Sequence, residues 1–313
     1  MEDYPRTEAE LEKRFSSEEA CRAYLFALRW PDGFVCPQCG GRKAWTMKRD
    51  LFVCANCRRQ VSVTAGTIFQ DSRLPLVMWF RAMWHVTSQK SGASALGLQR
   101  VLGLGSYQTA WSWLHKLRRA MVRPDRERLT GKVDVDETYI GGEKPGKRGR
   151  GASGKALVVV AAQQDGDHIG RIRLVHVPDA SGASLGDAIM QTVAPGSRVQ
   201  TDDWKGYNGI EELGYRRKIV RHSPEVGENL LPNCHLVASL LKRWILGTHQ
   251  GAVSAKHLSY YLDEFTFRFN RRTSRSRGKL FYRLLQQAVA VDPVPYSKIV
   301  QHARGLRPPT GSV

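Results

Sequence analysis

The sequence predicts a mixed α/β domain preceded by two smaller modules, one built around cysteines and one made of helices. Two CxxC pairs lie within residues 36–57, and apolar residues recur at helical spacing over 76–121. From residue 132 onward the pattern changes to alternating strands and helices. At 313 residues the chain exceeds the usual size of one domain, so two or three compact units are expected.

The chain is strongly basic. It has 48 Lys and Arg residues against 29 Asp and Glu residues, which gives a formal net charge of +19. This excess indicates a polyanionic partner such as nucleic acid, although ribosomal and membrane-surface proteins share it. The N-terminus lacks the pattern of a secretory signal, and the longest apolar run, residues 156–162, is only strand-sized. We therefore expect a soluble, cytoplasmic protein.

Four of the six cysteines form two CxxC pairs separated by fourteen residues, the first being Cys36 and Cys39 and the second Cys54 and Cys57. This spacing is typical of a zinc ribbon, in which two tight turns present four sulfurs to one ion. Gly40 suits the positive φ that such turns often need. Disulfides require an oxidising compartment and redox CxxC motifs occur singly, so we expect a closed, structural Zn²⁺ site. Cys21 and Cys234 lack partners at ligand spacing and are predicted to be buried thiols.

Helices are predicted on both sides of this ribbon. A capping box formed by Ser16 and Glu19 predicts a short helix that ends near Leu28 and packs on the ribbon. After the ribbon, helices are predicted over residues 76–84, 95–102 and 107–121.

The last two of these helices are joined by a glycine-containing turn at residues 103–106. Such a pair is typical of a helix-turn-helix, in which Lys116, Arg118 and Arg119 of the second helix are candidates for DNA contacts. An ordinary helical bundle with a solvated basic face explains the pattern equally well.

The second half of the chain has the element order of an RNase H-like domain. Strands are predicted over residues 132–140, 157–162 and 169–177, followed by a helix near 184–193. Strands near 198–201 and 217–220 and two closing helices complete the order. We expect domains at residues 1–70 (helix and ribbon), 71–126 (helical), 127–292 (RNase H-like) and 293–313 (tail).

Two aspartates lie where this fold brings strands together. Asp136 lies toward the end of the first strand, on the same side as Asp134, and Asp202 follows the strand at 198–201. Enzymes that cut phosphodiesters with divalent ions need carboxylates that converge from separate elements. An isolated aspartate at a strand end is more often a solvated side chain, so only the pairing of these strands supports a shared metal.

A third ligand is predicted on the helical segment Pro232 to Gly247. On a helical wheel, His235, Ser239 and Lys242 share one narrow polar face, while apolar residues occupy the rest. His235 therefore projects as a candidate metal ligand, and Lys242 as a candidate phosphate contact. The alternative is a solvent-facing histidine and a surface lysine without a role.

With these residues, the chain resembles the bacterial insertion-sequence transposases that join a zinc ribbon to a DDE-type catalytic domain. The resemblance covers nearly the whole chain and depends on several short motifs. They are Thr64-Ala65-Gly66-Thr67, the segment Asp136 to Gly142, Thr201-Asp202, Leu240 to Arg243, Gly247-Thr248-His249, Tyr261 to Phe265 and Phe267 to Arg272.

The resemblance implies that Asp136 and Asp202 are the catalytic aspartates and that Lys242 is the lysine following the third acid. His235 stands at the position of the usual glutamate, as in a branch of the family with an Asp-Asp-His-Lys signature. Magnesium prefers oxygen ligands and manganese accepts imidazole more readily, so either Mg²⁺ or Mn²⁺ is expected. Glu225 or Glu228 is an alternative third carboxylate, but neither has the lysine at the matching interval.

The implied function is DNA transposition, in which strands are cut at inverted terminal repeats and joined to target DNA. The expected active form is a homodimer or higher oligomer on DNA in the nucleoid, and no membrane partner is expected. Further candidates for DNA contacts are Lys147, Arg148, Arg150, Lys205, Arg268, Arg271 and Arg272. The alternative is a non-catalytic zinc-ribbon and helix-turn-helix DNA-binding protein, or a domesticated transposase in which the histidine marks lost catalysis.

Overall fold

The structure is a computed structural model that describes residues 2–47, 50–123, 126–141, 155–221 and 229–301. Its helices are α1 (Glu8–Arg14), α2 (Glu18–Arg29), α3 (Leu76–Ser88), α4 (Ala95–Leu102), α5 (Tyr107–Ala120), α6 (Gly182–Thr192), α7 (Pro232–His249), α8 (Leu258–Phe269), α9 (Arg277–Ala288) and α10 (Tyr296–Gln301). Its strands are β1 (Ala44–Met47), β2 (Leu51–Cys54), β3 (Gln60–Ser62), β4 (Lys132–Ile140), β5 (Ala156–Asp165), β6 (His168–Val177), β7 (Arg198–Thr201) and β8 (Arg216–Ile219).

The chain divides into two compact units. The first contains Met1–Pro124 together with Ser274–Gln301, and the described part of the second lies within Asp125–Thr273. The sequence placed residues 127–292 in one domain, whereas α9 packs with the helices of the first unit. Within the described residues, no helix combines the length and the apolar character needed to cross a bilayer.

The first unit contains the ribbon, a three-stranded antiparallel sheet in the order β1-β2-β3. Helix α2 packs on this sheet, as predicted, because the ring of Phe52 lies 5.1 Å from that of Phe26 and 5.7 Å from that of Trp30. The predicted capping box at Ser16 is wrong by one residue. Helix α2 is capped by the hydroxyl of Ser17, which accepts a hydrogen bond from the backbone N–H of Ala20 at 3.2 Å.

The predicted helices α3, α4 and α5 are present in the first unit. Gly103 ends α4 in the left-handed conformation, with φ of 63°, and Ser106 caps α5 through the N–H of Thr109. The rings of Trp79 and Trp113 stack at 3.8 Å between α3 and α5. Helices α1, α9 and α10 were not predicted from the sequence.

The second unit has a five-stranded mixed sheet in the order β6-β5-β4-β7-β8. Strands β4, β5 and β6 form an antiparallel meander, whereas β7 lies parallel to β4 and β8 lies parallel to β7. This is the predicted RNase H-like arrangement, with β4 and β7 as neighbours. The mixed α/β fold class predicted from the sequence is confirmed.

Two apolar cores cover the two faces of this sheet. Val133 and Val135 face the core that contains α6, whereas Asp134 and Asp136 alternate to the opposite face. Their partners on β5, Ala162 and Val160, belong to the second core, which also contains buried residues of α7 and α8. The aspartates therefore lie on the face of the sheet that α7 covers.

Candidate active site and zinc centre

The two CxxC pairs meet in the first unit. Among the described residues, this quartet is the one group of three or more potential ligands whose donor atoms all lie within 4.8 Å of one another. The sulfurs of Cys36 and Cys57 are 3.6 Å apart, as are those of Cys39 and Cys54. A Zn–S bond of about 2.3 Å implies tetrahedral sulfur separations of about 3.8 Å, so the quartet fits a structural Zn²⁺ site.

The turns that carry the quartet prepare it for a cation. Gly40 has a φ of 71°, as predicted, and Arg58 occupies the equivalent position after the second pair with a φ of 62°. The backbone N–H groups of Cys39 and Gln38 lower the pKa of Cys36 to about 6, because they stabilise its thiolate. The first turn thus favours the thiolate form of Cys36, whereas the neighbouring sulfurs of Cys57 and Cys54 raise the pKa of Cys39 to about 12, a repulsion that a zinc ion would relieve.

The other two cysteines are buried thiols, as predicted. Cys21 and Cys234 are 0% and 1% exposed, and neither belongs to a metal-ligand cluster among the described residues. Burial raises the pKa of Cys21 to about 12. These thiols pack as small apolar side chains.

In the second unit, the fold brings Asp136 and His235 into direct contact. Strand β4 supplies Asp136 and the first turn of α7 supplies His235, whose Nε2 lies 3.2 Å from Oδ2 of Asp136. The other ring nitrogen, Nδ1, contacts the side-chain oxygen of Asn229. An amide oxygen only accepts, so this contact assigns a proton to Nδ1 and leaves Nε2 as the ring nitrogen that faces Asp136. Asn229 was not predicted as a site residue, because no spacing rule connects it to His235.

Asp202 follows β7, the neighbour of β4. Asp134 on β4 pairs with Gln200 on β7. Asp136 and Asp202 each lie two residues further along the sequence from this pair. Asp202 directly follows the end of this ladder and lies near enough to Asp136 for its charge to raise the pKa of that carboxyl. Asp202 Oδ1 also accepts a hydrogen bond from the backbone N–H of Trp204 at 3.1 Å, which fixes the turn after β7.

The environment of Asp136 opposes its negative charge. Burial first, and then the nearby charges of Glu137 and Asp202, raise the pKa of this carboxyl to about 6, although the N–H of Glu137 and the charge of His235 act in the opposite direction. The side chain is only 18% exposed. A carboxylate held under these conditions is a good partner for a cation, because a cation would relieve both the burial and the repulsion.

The predicted face of α7 is exposed. His235, Ser239 and Lys242 all face solvent, while Val237 and Leu241 are buried against the sheet. Lys242 lies about 10 Å from His235 along the helix axis, at 1.5 Å per residue. The periodic pattern in the sequence therefore predicted the orientation of this helix correctly.

Several basic side chains predicted to contact DNA are held by other groups within the chain. Arg118 is only 1% exposed, which corrects its prediction as a surface contact. Arg268 forms an ion pair with the buried Glu264 at 2.9 Å, and Arg271 and Arg272 lie 4.1 Å over the rings of Phe267 and Phe269.

Two of the predicted lysines differ in exposure. Lys205 is exposed, whereas burial lowers the pKa of Lys116, which lies 6.0 Å over the ring of Trp79. The remaining predicted residues, Lys147, Arg148 and Arg150 together with Glu225 and Glu228, lie outside the described residues.

Comparisons with known proteins agree with both modules. Residues 128–270 match the family of ISXO2-like transposase domains, and residues 16–60 match the family of transposase zinc-ribbon domains. The chain is 27% identical over 290 residues to an uncharacterized protein in the transposable element ISH50 of Halobacterium salinarum, a match that covers 85% of this chain and 95% of that protein.

Two solved structures show a distant likeness. A chain of the Mos1 strand transfer complex is 15% identical, with 71% of this chain and 76% of that chain covered and a TM-score of 0.27. A chain of the pre-cleavage Mos1 transpososome is 12% identical, with coverage of 73% and 80% and a TM-score of 0.28. The two family matches, together with the cysteine quartet and the sheet, show that this chain belongs to the insertion-sequence transposases that join a zinc ribbon to an ISXO2-like transposase domain.

Proposed function

We propose that this chain cuts DNA strands at the inverted terminal repeats of its element and joins them to target DNA in a divalent-metal-dependent reaction. The observation that carries this proposal is the contact of His235 with Asp136, next to the strand that precedes Asp202. All three residues lie inside the region that matches the transposase-domain family. Asp136 lies on the face of the sheet that α7 covers, and His235 reaches it from α7.

The pair of donor atoms on Asp136 and His235 fits a small divalent cation. The 3.2 Å between Nε2 of His235 and Oδ2 of Asp136 is close to the separation of about 3 Å between adjacent ligands of an ion with bonds of about 2.1 Å. With its Nδ1 proton directed to Asn229, the imidazole offers the Nε2 lone pair that a metal requires. We propose that Asp136, Asp202 and His235 hold Mg²⁺ or Mn²⁺.

Bound divalent ions would polarise the scissile phosphate and lower the pKa of the attacking water or 3′ hydroxyl. The protein side chains orient the DNA around this centre. Lys242 lies on the same exposed face of α7 as His235, where its ammonium group can hold a phosphate of the cut strand. Lys205 follows Asp202 by three residues and is also exposed, which suits a second backbone contact.

DNA binding by the rest of the chain follows from its charge and modules. A net charge of +19 favours a polyanion, and the ribbon and the α4–α5 pair are the candidate elements for recognition of the terminal repeats. The exposed start of α5, with Tyr107 and Gln108, is the part of that helix available to DNA. A homodimer or larger assembly would bring the two element ends together.

The decisive variants are Asp136→Ala and Asp202→Ala. Each removes a carboxylate of the proposed metal site, so we expect nicking and strand transfer of terminal-repeat DNA to be abolished while binding to the same DNA is retained. Nicking assays with Mg²⁺ and Mn²⁺, paired with electrophoretic binding assays, measure both effects. Asp187→Ala, on the exposed face of α6, is the matched control and should retain activity.

Full activity in both site variants would refute the catalytic assignment. A wild-type chain that binds terminal-repeat DNA but never cuts it with either metal would instead support a DNA-binding protein that has lost, or never had, catalysis.

A further inference from the structure

Asp134, the second aspartate of β4, makes two well-defined hydrogen bonds inside the protein. It is 3% exposed, and its Oδ1 accepts from Nε2 of Gln200 while its Oδ2 accepts from Nδ2 of Asn233, each at 2.8 Å. One partner lies on β7 and the other in the first turn of α7. A single buried carboxylate thus connects three elements of the second unit.

Each member of this network lies two residues before a residue of the candidate site. Asp134 precedes Asp136, Gln200 precedes Asp202, and Asn233 precedes His235. On β4, a spacing of two keeps Asp134 and Asp136 on the same face, and the register pairs Asp134 directly with Gln200, near the end of β7 that leads into Asp202. The network therefore lies beside the site and includes every element that supplies a proposed ligand.

Asp134 is poorly suited to bind a metal or substrate itself, because both of its oxygens already accept hydrogen bonds and its side chain is buried. Packing alone does not call for a carboxylate at this position either, since its cross-strand neighbour on β5 is Ala162 in an apolar core. A buried carboxylate is costly unless its oxygens are satisfied, so its two amide partners are held firmly in place. What this carboxylate provides is a directional connection between β4, β7 and α7.

We propose that Asp134 is a positioning residue that holds Asp136 and His235 in contact and fixes the end of β7, which leads into Asp202, for metal binding. This inference rests on the proposed function. Without the two amide contacts, the first turn of α7 would lose its Asn233 hydrogen bond to β4, and that bond would no longer help to hold Nε2 of His235 at 3.2 Å from Asp136. Positioning groups around a metal site typically contribute about 10- to 100-fold to metal affinity or activity.

The test exchanges the carboxylate of Asp134 on β4 and the amide of Asn233 on α7. Asn233→Asp alone places two carboxylates face to face, which breaks the contact. The double variant Asp134→Asn with Asn233→Asp puts an amide on β4 and a carboxylate on α7. That amide can still accept from Gln200 through its oxygen and can donate to the carboxylate through its nitrogen, so both hydrogen bonds are restored at unchanged net charge. Asp134→Asn alone should be mild, because Asn233 can rotate its amide and present its oxygen.

The measurements are made at pH 8 on the full-length, zinc-loaded chain. Manganese affinity is measured from the electron paramagnetic resonance signal of free Mn²⁺, hydrogen exchange reports on the first turn of α7, and nicking assays give the rate. We expect Asn233→Asp to weaken manganese binding by about tenfold or more, with faster exchange in α7 and slower nicking. The double variant should recover to within about twofold of the wild type in all three.

The direction of the effect separates geometry from charge, since an added carboxylate near the site would by charge alone tighten manganese binding. Wild-type manganese affinity and nicking in Asn233→Asp, even with faster exchange in α7, would overturn the positioning role while leaving the proposed function intact. Failure of the double variant to recover would also overturn it. A wild-type chain that neither binds manganese nor nicks DNA would overturn the proposed function and the positioning role together.

Discussion

At the scale of single residues, the candidate site combines features that are unfavourable for the fold by itself. Asp136 is 18% exposed and has Glu137 and Asp202 as like-charged neighbours. A cation would relieve these unfavourable contacts. In a metal-free chain the same residues should reduce the free energy of unfolding, which is a common property of functional sites.

Replacing Asp136 by its neutral isostere should therefore stabilise the metal-free protein. Burial raises the pKa of Asp136 to about 6, above the value of the unfolded chain, so the folded chain binds this proton more tightly. The contribution of Asp136 to the free energy of unfolding is then highest below the pKa that this carboxyl has in the unfolded chain, and it falls as the pH rises through about 6. We expect Asp136→Asn to gain about 1–3 kcal/mol at pH 7.5, and less than half of that gain at pH 4.5.

Urea unfolding in buffer free of magnesium and manganese, monitored through hydrogen exchange of the β4 and β5 amides, measures the gain in the free energy of unfolding at both pH values. Asp187→Asn removes a carboxylate that is exposed on α6 and is the matched control, with no pH-dependent gain expected. A gain for Asp136→Asn that is equal at both pH values would contradict the burial argument.

At the scale of elements, sequence patterns predicted what depends on periodicity and spacing. The quartet of cysteines, the alternation of β4 and the exposed face of α7 all follow from local rules, and the structure has them as predicted. The hydrogen bonds from Asp134 to Gln200 and Asn233 join residues 66 and 99 positions apart, and no local pattern specifies such pairs.

Burial by distant elements was equally hard to predict. Arg118 is a residue type that often contacts DNA, and it lies on the predicted recognition helix. In the packed helices of the first unit, however, it is only 1% exposed. Helix α9 joins the same unit because Phe281 packs on Phe80 and Trp84, each at 5.7 Å between ring centroids. Such contacts depend on tertiary packing, which a single sequence does not reveal.

The ribbon is the element whose folding should depend most directly on a metal. Its strands have only three or four residues each, so the cysteine quartet must supply much of its stability. We expect Cys36→Ser to lower the zinc content below one ion per chain and to increase hydrogen exchange in β1 and β2, while β4 and β5 stay protected. Metal analysis and hydrogen-exchange mass spectrometry measure the two effects.

Cys21→Ser provides the matched control for the ribbon, because Cys21 is a buried thiol of α2 outside the quartet. This variant should retain one zinc ion per chain. Unchanged zinc content in Cys36→Ser, or zinc loss in both variants, would contradict the assignment of the metal to the quartet.

At the scale of the whole molecule, the excess of positive charge is distributed unequally between exposed and internally paired side chains. Lys205 and Lys242 are exposed, whereas Arg118 is buried and Arg268 is paired with Glu264. The net charge of +19 therefore overstates the number of groups available to DNA phosphates. The salt dependence of DNA binding counts the counterions that are released. It can therefore distinguish basic side chains that contact phosphates from those that are buried or paired inside the protein.

Binding to a terminal-repeat duplex should weaken steeply with salt, by about 10³- to 10⁵-fold between about 50 and 200 mM if six to ten phosphates are contacted. Each of Lys205→Ala and Lys242→Ala should reduce the slope of log K against log salt by about one, because each removes one phosphate contact. Arg118→Ala should lower stability and leave the slope unchanged, since its guanidinium does not reach solvent. Fluorescence anisotropy across a salt series measures all three slopes. Equal slopes for the lysine variants and the wild type would exclude these lysines from the DNA interface, and a reduced slope for Arg118→Ala would mean that binding exposes this arginine.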